Sequence, residues 1–191
     1  MVKIICEGSD DKSFIRLLLN DLKNSGDILG IKNFDKYIEI MGSKRKLLDS
    51  KNSKYLKILN HQVKDKKFRK VLFIFDCDFE KDDENCNGMK KSQECFNNLK
   101  KNLNWNIEID LYIFDKNLDY FLLETINTKE CYEHFDKLIE CLDVEKLKPN
   151  KKPIANLYRD LYPYPQFYFK DDRFEPIKTK LKNLFKWSDN E

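Results

Sequence analysis

Asp76 and Asp78 stand one residue apart at the end of Val71-Leu72-Phe73-Ile74-Phe75, an unbroken apolar run. Residues two apart on a strand face the same side, so both carboxylates are expected to converge just beyond the strand end. Like charges held that close raise each other's pKa unless something positive lies between them. A hard divalent cation answers that need: Mg²⁺ (or Mn²⁺) takes oxygen ligands, commonly one or two carboxylates completed by water and substrate phosphate. The plainer reading is that Asp76 caps the following turn and Asp78 is solvated, because aspartate commonly occurs where strands give way to loops.

Three other places carry comparable chemistry. Glu7-Gly8 follows the apolar run Val2-Lys3-Ile4-Ile5-Cys6, and Asp11 falls in the first turn of the next helix, with Ser9 or Asp10 as its expected N-cap. Gly42-Ser43-Lys44-Arg45 opens a helix expected to run to about His61; its free backbone N–H groups and dipole make an anion site to which Lys44 and Arg45 add charge. The bland alternative there is an ordinary cap followed by solvated lysines. Asp119 lies near the start of a helical segment, Leu118 to Ile126.

The elements that must position these residues follow from periodicity. Apolar runs at Val2–Cys6, Tyr37–Met41, Val71–Phe75 and Ile107–Phe114 read as strands, and helical stripes separate them. Glu80 to Lys91 reads as a charged loop beside the site. Strands alternating with helices predict an α/β fold, Rossmann-like in layout, with about four mainly parallel strands and right-handed crossovers. In such sheets ligands bind outside the carboxyl ends of the strands, where Glu7, Asp11, Gly42, Ser43, Lys44, Asp76, Asp78 and Asp119 all fall. Residues 1–126 make this core, and residues 127–191 read as a helical extension packed on it. Its stripes begin at Cys131, Ile154 and Phe174, and the aromatic connector Tyr162-Pro163-Tyr164-Pro165 with Phe167, Tyr168 and Phe169 joins the last two. Such aromatics can stack bases or pack helices, and they offer a contact surface for a homodimer.

A chain of 191 residues, 41% hydrophobic and 36% charged, has the composition of a globular domain. Its 36 basic and 33 acidic residues nearly balance, so attraction to nucleic acid must come from a local patch. No leader or membrane-length apolar segment is visible, and the six cysteines form no C-x-x-C pair. Reduced thiols in a cytoplasmic protein away from membranes are expected.

Glu7-Gly8 with Asp11, followed by Asp76-Cys77-Asp78 on a later strand, resembles the Toprim domain. Primases, topoisomerases, recombination mediators and the overcoming-lysogenisation-defect nucleases share that domain. Gly42-Ser43-Lys44, the segment Leu118 to Glu124 and the closing Leu184-Phe185-Lys186-Trp187 resemble small stand-alone bacterial Toprim-like proteins related to the nuclease branch. The resemblance implies a Mg²⁺-dependent phosphotransfer enzyme on nucleic acid, a nuclease, with DNA ahead of RNA as substrate. It would make Glu7 the general acid/base or a metal ligand, Asp76 and Asp78 metal ligands, and Asp11 the extra acidic residue. Asp119 or Glu124 would fill the later acidic position, with Gly8, Gly42, Ser43, Lys44 and Arg45 facing phosphate. Lys44 or Arg45 would steady the transition state. The remaining residues leave no room for a topoisomerase tyrosine domain or a primase zinc module. Two alternatives stand beside it: a non-catalytic module of this fold that binds nucleic acid or protein, and a haloacid-dehalogenase-type phosphatase using Asp76 and Asp78. Phe79-Glu80 departs from the pattern of the latter.

Overall fold

The computed structural model describes residues 2–65, 69–78, 86–125 and 169–186. Four parallel strands, β1 (Val2–Cys6), β2 (Ile38–Ile40), β3 (Lys70–Asp76) and β4 (Glu108–Phe114), lie in the order β2-β1-β3-β4. Among the described residues six α-helices accompany them: α1 (Ser9–Asn24), α2 (Lys44–Leu48), α3 (Ser53–Asp65), α4 (Met89–Leu103), α5 (Leu118–Thr125) and α6 (Glu175–Phe185). The protein is therefore an α/β fold with an all-parallel sheet.

The central strands β1 and β3 are apolar on both faces because both faces are covered. Ile4, Cys6, Leu72 and Ile74 face a core built with α1, α5 and α6, while Ile5, Val71, Phe73 and Phe75 face one built with α2, α3 and α4. On α1 the stripe Phe14, Ile15, Leu18, Leu19 and Leu22 is buried. Phe174 and the α6 residues Ile177, Leu181, Leu184 and Phe185 enter the same core, so this part of the tail is integral to the domain.

The chain passes from β1 outward to β2, then returns to the other side of β1 for β3. This reversal opens a crevice between the carboxyl ends of β1 and β3, the position at which doubly wound sheets hold ligands. Cys6 stands opposite Ile74 in the register, so Glu7 leaves β1 level with Phe75, one residue before Asp76.

Three local expectations are corrected. The N-cap of α1 is Gly8, not Ser9 or Asp10. The helix expected from Gly42 to His61 is broken: Asp49 Oδ1 accepts from Lys51 N at 3.0 Å and Asn52 Oδ1 from Lys54 N at 3.1 Å, ending α2 and starting α3. Finally, Cys86 and Cys95 are joined by a disulfide, where reduced thiols were expected. Gly88, at φ +81°, turns the chain into α4 and lays Cys86 against its second turn, with the two Cα atoms 6.1 Å apart. Cys6 and Cys77 remain free and buried. Among the described residues no helix is long and apolar enough to cross a membrane. The stripes starting at Cys131 and Ile154, and the aromatic connector up to Tyr168, lie outside the described residues.

Candidate active site

The main chain stays paired beyond the strand ends, and this holds the site residues as firmly as the sheet itself. Gly42 N donates to Glu7 O at 2.7 Å, Cys77 N to Phe114 O at 3.0 Å, and Asp78 N to Lys116 O at 2.6 Å. The Asp78 pairing joins two non-glycine residues in left-handed conformation, Asp78 at φ +57° and Lys116 at φ +60°. Such backbone is retained only where its surroundings hold it, and it concentrates at functional sites.

Glu7 sits at the crevice. Its Oε2 is buried with no hydrogen-bond partner among the described residues. Burial, with Asp11 and Asp78 close by, pushes its carboxyl up to about 7, although the Lys44 main-chain N–H and the Lys44 charge favour the ionised form. The anion at the start of α2 is thus the protein's own Glu7 carboxylate. Ser43 caps that helix, its Oγ accepting from Lys46 N at 3.3 Å. Because α2 spans five residues its dipole is small, and Gly42 N–H is committed to Glu7 O.

Asp11 is buried, and its Oδ2 accepts from Gly8 N at 2.7 Å, which fixes the carboxylate at the foot of α1 beside Glu7. Asp76 and Asp78 do not share one face by strand alternation. The strand stops at Asp76, whose buried Oδ1 accepts from Leu118 N at 3.1 Å and caps α5 on the α1 side of the sheet. Asp78, past the left-handed turn, meets Lys44 on the α2 side, Nζ to Oδ2 at 3.3 Å. Asp119 lies in the first turn of α5, the helix that Asp76 caps, whereas Glu124 is exposed near its far end.

Lys44 is a buried positive charge at the site. Its buried ammonium donates to Cys77 O at 2.8 Å, Asn87 Oδ1 at 3.0 Å and Asp78 Oδ2 at 3.3 Å. Arg45, by contrast, is exposed and lines an open cleft of about 740 Å³ together with Lys44, Asp49, Asp78, Cys86 and Asn87. Asn87 was not singled out by sequence reasoning. The Asn87-Gly88 pair is a turn signal, and it marks where the chain returns to the site.

Among the described residues no three of His, Cys, Asp and Glu form a ready ligand group. Mg²⁺ does not require one, being held by one or two carboxylates with waters and substrate phosphate. The donor chemistry suits it: Glu7 carries an orphaned buried oxygen and is crowded by Asp11 and Asp78. Compared with profiles of protein families, with curated proteins and with solved structures, the chain matches none.

Proposed function

We propose that the chain is a Toprim-like, Mg²⁺-dependent phosphotransfer enzyme acting on nucleic acid, a nuclease. The observation that carries this reading is Glu7: a buried carboxyl at the topological crevice, raised to about 7 by burial and by Asp11 and Asp78, with Oε2 unpartnered among the described residues. A group titrating near neutrality can both take and return a proton, the property a general acid/base needs.

Glu7 and Asp78, with Asp11 behind Glu7, would hold the cation. When bound, it neutralises charge on the phosphoryl oxygens and stabilises the leaving oxygen. Glu7 Oε2 holds its proton in the metal-free site and would give it up as the cation binds. Lys44 holds Asp78 in place; its N–H donors are engaged within the protein, so it acts through charge and position. Arg45, exposed on the rim of the cleft, is the residue that reaches a backbone phosphate and orients it.

Purified protein with Mg²⁺ or Mn²⁺ on plasmid, single-stranded DNA and RNA, compared with Glu7→Gln, tests the proposal. Cleavage by the wild type and a loss of about 100-fold or more in the variant is expected for a lost general acid/base. Equal cleavage by both proteins, or by neither, counts against it. The absence of a ready ligand group among the described residues favours one other reading, a non-catalytic module; binding of the same nucleic acids without cleavage supports that reading.

A further inference from the structure

We infer that the Cys86–Cys95 disulfide is a redox-responsive clamp that, through Asn87, fixes Lys44 at the cleft. Cys86 lines the cleft, and the residue after it, Asn87, is 5% exposed with its Oδ1 on the Lys44 ammonium. Among the described residues, main-chain bonds and the disulfide tie this short segment down. Gly88 N donates to Cys77 O at 2.8 Å, Ser92 Oγ donates to Cys86 O at 2.7 Å, and the disulfide anchors Cys86 to α4. The disulfide is the covalent tie, and both its cysteines are half-buried, within reach of a reductant from solvent. Exposed disulfides are the more easily reduced ones, and partial exposure lets a reductant approach this one.

Elsewhere among the described residues, Cys6 and Cys77 have thiols pushed up by burial, so they hold little thiolate at neutral pH and do not compete in exchange. A dithiol reductant supplies two electrons and two protons. One of its thiolates attacks a sulfur of the disulfide, the mixed disulfide forms, and its second thiol resolves it. Cys86 and Cys95 are left as thiols and the reductant as a disulfide. Once Asn87 moves, one Lys44 donor loses its acceptor inside the protein, and the ammonium turns toward the open cleft. The clamp itself rests on geometry alone; its effect on catalysis rests on the phosphotransfer reading.

The test is lysine acylation followed by mass spectrometry, on oxidised protein and on protein treated with dithiothreitol. Lys44 is expected to acylate about tenfold faster after reduction, the protection one hydrogen bond confers, while exposed Lys23 on α1 is unchanged. Asn87→Ala should remove the protection in both redox states. Cys95→Ser should match the reduced protein and ignore dithiothreitol; if it does not fold, the wild-type comparison decides. Equal protection of Lys44 before and after reduction overturns the inference. So does unreduced protein in which Cys86 and Cys95 both alkylate. Acylation needs no turnover, so a protein without nuclease activity still answers this question.

Discussion

Glu7 is where the chemistry of the site becomes measurable, because its carboxyl is raised from the ordinary 4.5 to about 7. A raised carboxyl means that the folded chain binds a proton the unfolded chain has lost, so stability is full below about pH 4.5 and falls as pH rises through 7. Glu7→Gln should flatten that profile and gain on the order of 2 kcal/mol at pH 8, read by urea unfolding at pH 5 and pH 8. An unchanged slope would show that Glu7 is not the titrating group. Lys44→Met should act in the opposite sense. It takes the Lys44 donor from Asn87 Oδ1 and Asp78, while Cys77 O keeps Gly88 N, and a loss of about 2 kcal/mol is expected at pH 7. Acidic residues at one sheet edge were legible in the sequence from type and position. The engagement of Lys44 was not, because a side chain's partner is chosen by tertiary distance, and Asn87 lies 43 residues away.

Strands and most helices followed from apolar periodicity, and the misjudged boundaries share a cause: short polar side chains that compete for backbone N–H groups. Asp49 and Asn52 break one expected helix into α2 and α3 in this way, within a stretch whose leucines keep helical spacing. Asp76 shows the same competition across elements, since its carboxylate serves the first N–H of α5. Its contributions can be separated by substitution. Asp76→Ala removes the acceptor and should cost about 1 to 2 kcal/mol, whereas Asp76→Asn keeps an oxygen there and should cost much less. If both variants are equally destabilised in thermal melts, the cap is not what Asp76 provides. Gly42 sits at φ +98°, so Gly42→Ala should cost about 1 kcal/mol or more and loosen the turn that delivers Lys44.

Across the molecule, a chain reversal between β2 and β3 makes the crevice, and the C-terminal helix α6 closes the core beneath one of its walls. Phe14 contacts Phe114, Phe121, Phe169 and Phe174, bringing three separate parts of the chain together under α1. Phe174→Ala should therefore cost about 3 to 5 kcal/mol in denaturant unfolding, and a loss below 1 kcal/mol would mean that the tail docks independently of this cluster. The α/β class was legible because it rests on repeated apolar patterns. A disulfide between Cys86 and Cys95 was not, since nothing in their spacing distinguishes them from the other cysteines. The central claim is that Glu7 and Asp78, with Asp11 behind Glu7, would hold a divalent cation, and calorimetric titration with Mn²⁺ at pH 7 tests it most directly. Wild type should bind with release of a proton from Glu7, and Glu7→Gln should lose both the affinity and the proton. Identical isotherms for the two proteins, or no heat from either, would contradict the claim.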